Sequence, residues 1–301
     1  MKILSWNCRG LSSPRAIPNL RKLAHTHQPD IIFLSETLTK TCKLESIRVG
    51  LKFTACFVID VDGRSGGLAV LWKNSNKCSV QNFTHNFINI HVKDDNKGEW
   101  RLTCYYGYPE RNRRRQAWDM LREISSMSSL PWCIIGDFND MLSQQDKHGI
   151  HPHPNWLCNG FRDTVSDYNL VDIPLEGHQY TWVMSRGTDR MVEERLDRAL
   201  ANTSWLELSP SAKLVNLITT HSDHSPILLS CDPALQYRRH HAFRFENCWL
   251  EEEDIEDVVR HGWQQERACD VTHQISNYAK DLEKWNNRNR RRRKEEIDSH
   301  K

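Results

Sequence analysis

The stretch Trp132-Cys133-Ile134-Ile135-Gly136-Asp137-Phe138-Asn139 runs from apolar residues into an acid and an amide with one glycine between them. A short apolar run closed by glycine reads as a buried strand, so Asp137 and Asn139 stand where the chain leaves a sheet. The pattern recurs outward from here. Lys2 to Trp6 leads into Asn7, and Ile31-Ile32-Phe33-Leu34 leads into Ser35-Glu36-Thr37. Arg195-Leu196-Asp197 and Ser222-Asp223-His224-Ser225-Pro226 are read the same way, as polar residues just past apolar strands. Carboxylates that leave strands on one edge of a layered fold can converge there.

The remaining pattern supports such layering. Further strands are expected at Leu68 to Trp72 (after a Gly63–Gly67 hairpin turn), Phe87 to Val92, Arg101 to Tyr106 and Pro226 to Cys231. Helical spacing marks Ile17, Leu20, Leu23 and Ala24; Ala117, Trp118, Leu121 and Ile124; and Phe161, Val165 and Tyr168. Strands outnumber helices, and several neighbours lack a crossover between them. That favours a mixed, largely antiparallel α+β architecture over a doubly wound parallel sheet.

Composition excludes other classes. The chain has 301 residues, 38% hydrophobic and 27% charged, with 11 Trp, 9 Phe and 7 Tyr to build a core. No stretch approaches the roughly 18–20 apolar residues of a membrane span, and the amino terminus lacks a secretory apolar run. Ten scattered cysteines with no CxxC pair read as free thiols in a reducing compartment, not as a disulfide framework or a zinc site. The net charge of +2 points to no partner, so local clusters carry that argument. Two stand out: Arg111, Arg113, Arg114 and Arg115 before a helix, and the run from Arg290 to Lys294. Each has a plainer reading as a solvated helix face. His148, His151 and His153 lie in a proline-rich loop and read as solvated.

Oxygen ligands of this kind suit a hard divalent cation such as Mg²⁺, which needs only one or two carboxylates plus a substrate phosphate. An Asp can align or deprotonate a water, and Asn and His can donate to phosphoryl oxygens. Singly, each of these residues is more simply a cap, an Asx turn or a solvated charge. Together, the order Asn7, Glu36, GDFN at 136–139, RLD at 195–197 and SDH at 222–224 resembles the endonuclease/exonuclease/phosphatase superfamily. The wording SWNCRGL, FLSET, GGLAVLW, YYGYPE and ERLDRAL is similar to the nicking endonucleases of plant LINE-type non-LTR retrotransposons.

The resemblance implies a DNase I-like, four-layered α/β/β/α sandwich over residues 1–231 and a metal-dependent endonuclease that nicks duplex DNA and leaves 3′-hydroxyl ends. It implies Glu36 as principal ligand of Mg²⁺ or Mn²⁺, with Asn7 beside it and Asp223 supporting the metal side. Asp137 positions the attacking water, Asn139 bonds that water or the phosphate, and Asp197 holds His224 toward a phosphoryl oxygen. A tyrosine donates to the phosphate; Tyr106 and Tyr108 both fit, with Tyr106 preferred. Repair-type relatives carry an acid where this chain has Arg9, which cannot bind a cation but can contact the DNA backbone, as can Arg111, Arg113, Arg114 and Arg115. A phosphatase or phosphodiesterase of the same fold and a non-cutting nucleic-acid-binding relic are the alternatives. The reading expects a monomer that works in the nucleus.

Residues 232–301 are expected to form a helical extension, with 14 basic and 15 acidic residues segregated by sign. A helix is expected from Ile275 to Lys294, with its basic end available to retroelement RNA. No Tyr/Phe-Ala-Asp-Asp polymerase motif occurs, and the chain is expected to be the start of a longer retroelement product or a descendant of one.

Overall fold

The computed structural model describes residues 1–13, 15–61, 66–217, 219, 222–232 and 254–264, with 282, 285 and 286. The chain divides into two compact units, Met1–Tyr237 and Arg238–Lys301.

The first unit contains two large sheets. One has seven strands in the order Leu175–Glu176, Lys213–Asn216, Ile227–Ser230, Lys2–Asn7, Ile31–Ser35, Leu68–Trp72 and Ala55–Ile59. The other has six, in the order Leu170–Asp172, Asp197–Asn202, Trp132–Asp137, Gly98–Tyr106, Phe87–Asp94 and Cys78–Thr84. Lys2–Asn7 pairs in parallel with Ile31–Ser35, and Gly98–Tyr106 with Trp132–Asp137; most other pairs are antiparallel. A small third sheet joins Trp182–Met184, Val192–Glu194 and Lys147–His148.

Strand alternation sorts the side chains into layers. Ile3, Phe33, Val70, Leu102, Cys104, Ile135 and Ala199 meet between the two sheets. On the outer face of the first sheet, Leu4, Trp6, Ile32 and Leu34 pack against the helices Ala16–His27 and Thr41–Gly50. On the outer face of the second, Tyr105, Ile134 and Leu200 pack against Arg114–Ser126 and Asn155–Asp167. The expected four layers, α/β/β/α, are present.

Each strand and helix anticipated in the described part of this unit is found, with shifted ends; the hairpin turn at Gly63–Gly67 lies partly outside the described residues. Thr41–Gly50, Ala55–Ile59, Cys78–Thr84 and the small third sheet were not anticipated. One placement differs in kind. Asp197 opens its strand instead of following one, and Asp223 and His224 precede Ile227–Ser230. Because those strands run antiparallel to their neighbours, their beginnings lie at the same edge as the ends of Lys2–Asn7 and Trp132–Asp137.

In the second unit, the helix Ile255–Gln264 presents Ile255, Val258 and Val259 to Leu282 and Trp285. The Trp285 indole donates to Asp254 Oδ2 at 2.9 Å. The expected helix at 275–294 lies largely outside the described residues. Among the described residues every cysteine is a free thiol, and no helix is long and apolar enough to cross a membrane.

Gly136 carries a close approach that sets the strand geometry beneath the polar edge. Its φ is +152°, and a Cβ there would lie 1.9 Å from the Tyr105 carbonyl oxygen. Gly136→Ala is therefore expected to cost about 3 kcal/mol by forcing two paired strands apart, read as a melting-temperature drop of roughly 6–12 °C.

Candidate active site

One rung of the second sheet supplies three polar side chains. Tyr106 pairs in register with Asp137, and Asp137 with Asp197. By alternation all three point to the inter-sheet side, the face of Cys104, Ile135 and Ala199. Across the gap, Asn7 ends the strand whose Ile3 and Ser5 share that face, and its register partner Ser35 precedes Glu36. The polar edges of the two sheets therefore close on each other.

The bonds between them are direct. Asn7 Nδ2 donates to Glu36 Oε1 at 2.8 Å and to Asp137 Oδ2 at 3.0 Å, so one amide joins the two sheets. Tyr106 donates its hydroxyl to Glu36 Oε1 at 2.9 Å. Tyr108 is elsewhere, with the Arg113 guanidinium 3.6 Å over its ring. Asn139 donates its backbone N–H to Asp137 Oδ1 at 2.9 Å and its amide to the Gly107 carbonyl at 3.0 Å. His224 Nδ1 lies 2.9 Å from Asp197 Oδ2, and its Nε2 is 3.7 Å from Asp137 Oδ2.

The loop carrying His224 is fastened at several points. Ser222 Oγ donates to the Asn7 carbonyl and accepts the His224 N–H. The Trp6 indole donates to the His224 carbonyl, and Trp182 bridges His224 on the other side. Thr181 Oγ1 accepts the N–H groups of both Leu196 and Asp197. The unanticipated third sheet thus holds the imidazole and its carboxylate in one geometry.

Burial sets the charges. It raises the Asp137 carboxyl to about 6, against the lowering pull of the His224 charge. By itself burial would push the His224 imidazole down, but Asp197 and Asp137 outweigh it and raise it to about 9. The Tyr106 phenol is raised well above its usual value by burial and by Glu36, and so remains a donor. At neutral pH the cluster holds an imidazolium beside a carboxyl that titrates near neutrality.

Asp137, Asp197 and His224 each offer a ligand atom within 4.8 Å of one another, the only such acid–imidazole group among the described residues. His224 already lies between those two acids. The Glu36 and Asp137 carboxylates, which share the Asn7 amide as their donor, are hard oxygen ligands of the kind that fit a divalent cation, while Asn7 Oδ1 accepts the Arg9 N–H. Asp223, the expected supporting acid, accepts the Trp182 indole N–H at 3.0 Å. Arg9 stands between it and the main set. Its guanidinium is 3.7 Å from Glu36 Oε2 and 3.4 Å from Asp223 Oδ2. Arg9, Glu36 and Asn139 all adopt positive φ, at 46°, 50° and 52°, so backbone strain gathers at this point.

A cleft of about 730 Å³ opens from Glu36, Asn139 and His224. Arg9, Arg111 and Arg114 line it, together with Lys147 and Arg190, which sequence reasoning missed. Arg113 and Arg115 turn away, toward Tyr108 and Trp156. Arg114 is 6% exposed and donates to the Tyr108 and Pro109 carbonyls, a structural role. The histidine-rich loop also differs from expectation. His153 is buried, with Nε2 unpaired among the described residues, and both it and His151 line the cleft. The stretch His148-Gly149-Ile150-His151-Pro152-His153-Pro154 has no helical or strand periodicity by which to see this.

Two mixed sheets, faced by helices on both sides and closing on an acid–imidazole cluster, define a DNase I-like α+β sandwich. Residues 4–224 match the model of the Endonuclease/Exonuclease/phosphatase family, and the chain belongs to that family. Its members are phosphodiesterase and nuclease hydrolases, typically dependent on a divalent metal. Similar solved structures include the endonuclease domain of TRAS1, a telomere-specific non-LTR retrotransposon, at 17% identity and TM-score 0.56 over 76% of this chain and 97% of that one. The 3′ phosphatase NExo from Neisseria, bound to a product DNA hairpin, is similar at 17% identity and TM-score 0.59 over 76% and 98%. An AP endonuclease from Archaeoglobus fulgidus is similar at 15% identity and TM-score 0.58 over 76% and 98%. No curated protein sequence compared with the chain matches it.

Two outcomes are expected from this geometry. Arg9→Ala removes a positive charge from the Glu36–Asp223 gap and tightens Mg²⁺ or Mn²⁺ binding by about fivefold, measured by titration calorimetry. Asp197→Asn lowers the His224 pKa, read from imidazole resonances of the metal-free protein. A histidine raised from 6.5 to about 9 contributes stability that is full below pH 6.5 and lost as pH rises through about 9. The stability gap between wild type and Asp197→Asn should shrink over that window.

Proposed function

We propose that this chain is a divalent-metal-dependent endonuclease that nicks duplex DNA by attack of water on a phosphodiester, leaving 3′-hydroxyl ends as in retrotransposon target-site cleavage. The observation that carries the reading is the single cluster in which Asn7 joins Glu36 to Asp137 while Asp197 holds His224 beside Asp137, at the head of a cleft with arginine and lysine in its walls. Two of the similar structures hold DNA products: NExo with its hairpin, and zebrafish TDP2 with single-stranded DNA.

Each residue then has a task. His224, kept protonated by Asp197 and Asp137, donates to a phosphoryl oxygen as negative charge builds there. Asp137, raised toward neutrality, accepts the proton of the attacking water. Asn7 fixes the Asp137 carboxylate, and Asn139 holds its other oxygen through the backbone N–H. Tyr106 donates to Glu36 and fixes the rotamer of that carboxylate. Glu36, its carboxylate fixed by the Asn7 amide, would hold Mg²⁺, which would supply charge neutralisation at the phosphate. Arg9, Arg111 and Arg190 receive the DNA backbone. We extend the proposal to nuclear DNA as the target, to action as a monomer, and to RNA contact by the basic run 290–294.

The non-cutting relic draws on one observation, the Arg9 guanidinium set between Glu36 and Asp223. Relaxation of supercoiled plasmid in Mg²⁺ separates the two readings. Wild type should nick, and Glu36→Ala and His224→Ala should each fall by roughly 10²–10⁴-fold. Equal activity in all three proteins, or none in wild type alongside retained DNA binding, refutes the endonuclease.

A further inference from the structure

The second sheet carries a polar cavity on its outer face, away from the rung that builds the active site. Along Gly98–Tyr106, Trp100, Leu102 and Cys104 face the inter-sheet core, so Arg101 and Thr103 face outward. Arg101 borders a cavity of about 380 Å³, together with Asn82, Asn89, His91, Glu99 and Ser128.

Arg101 is only 4% exposed, and among the described residues no carboxylate pairs with it. Its guanidinium is nevertheless rigidly placed. Nη1 donates to the Ile124 carbonyl at 2.6 Å, at the end of the helix Arg114–Ser126, and the plane lies 4.2 Å over the Trp132 ring. The Nε and Nη2 hydrogens, which form the side fork of the guanidinium, meet no partner among the described residues. Burial lowers this guanidinium to about 10, yet it remains a cation at neutral pH.

The walls around it are ordered by their own bonds. The Trp132 indole donates to Thr103 Oγ1, Thr103 donates to Asn89 Oδ1, and Asn89 Nδ2 donates to Asn82 Oδ1. The single acid at the rim, Glu99, is paired with Lys93 at 3.6 Å and lies 3.2 Å from His91 Nε2. A desolvated cation is costly without a compensating charge, and a bare Nε/Nη2 fork fits the two oxygens of an oxyanion side by side.

We propose that this cavity is a second ligand site, which takes a small oxyanion, a phosphate or carboxylate group, in bidentate contact with Arg101. It lies on a different face from the catalytic cleft and does not depend on the nuclease reading.

The test uses the whole chain labelled with ¹⁵N. One arginine Nε–Hε resonance, identified by its loss in Arg101→Lys, should shift saturably on titration with inorganic phosphate at constant ionic strength. Acetate in a parallel titration separates a carboxylate ligand from a phosphate. Asn82→Asp adds a negative charge to the cavity while keeping the bond accepted from Asn89, and should weaken binding by about tenfold or more. Thermal denaturation gives an independent readout: phosphate should raise the melting temperature of wild type more than that of Asn82→Asp, since any phosphate in the catalytic cleft contributes equally to both. A shift that merely follows concentration, as with chloride, overturns the proposal, because the fork is then satisfied by solvent. Equal affinity and equal thermal response in wild type and Asn82→Asp overturn it as well.

Discussion

Asp137 and Asp197 stand opposite each other on paired strands, and both are withdrawn from water. Two carboxylates so placed cannot both be ionised in a low-dielectric setting unless a cation lies with them. His224 is that cation, 2.9 Å from one acid and 3.7 Å from the other. The imidazole comes from a loop of the first sheet and the acids from the second, so their attraction also fastens the sandwich at its polar edge. Removing His224 leaves two buried carboxylates facing each other without a cation. The surrounding bonds from Ser222, Trp6 and Thr181 follow from that constraint, because they fix the main chain that carries the imidazole and its carboxylate. Farther along the same strand, buried Arg198 repeats the logic with Asp146 and Asp172.

The mouth of the site obeys a different balance. Glu36 and Asp223 are partly exposed and Arg9 more so, at 18%, 28% and 52% of their side chains. Solvent screens these pairs, so each contributes little stability, and a divalent cation can compete with Arg9 for the same oxygens. A guanidinium held by weak pairs can exchange one set of oxygens for another, including those of a DNA phosphate. The positive φ of Arg9 and Glu36 aims both side chains into this gap instead of along the strands.

Much of this was legible because it rests on strand ends. Asn7, Glu36 and Asp137 each follow an apolar run, and the period-2 rule places them at a sheet edge. That these edges coincide was not legible from spacing, since it depends on strand direction: Asp197 and His224 reach the same edge from the beginnings of antiparallel strands. Resemblance supplied that step. The third sheet was missed because its strands are two or three residues long and half exposed, leaving no periodic signal. Its contribution is large despite its size, for it clamps the His224 loop through Trp182 and Thr181.

The basic cluster shows where sequence phase alone could have gone further. Arg111, Arg113, Arg114 and Arg115 are consecutive enough to read as one patch, yet a helical turn separates them into faces. Arg111 and Arg114, three apart, share the side toward the cleft. Arg113 and Arg115 fall on other sides and find the rings of Tyr108 and Trp156. Of the two that face the cleft, Arg114 spends its donors on carbonyls that shape the turn after Tyr106. That leaves Arg111, with Arg9 and with Arg190 from the hairpin of the small third sheet, to meet a ligand phosphate, since Lys147 is ion-paired with Glu194. The positive wall is thus assembled from three separate segments, and charge density along the chain is a poor guide to charge density in the cleft.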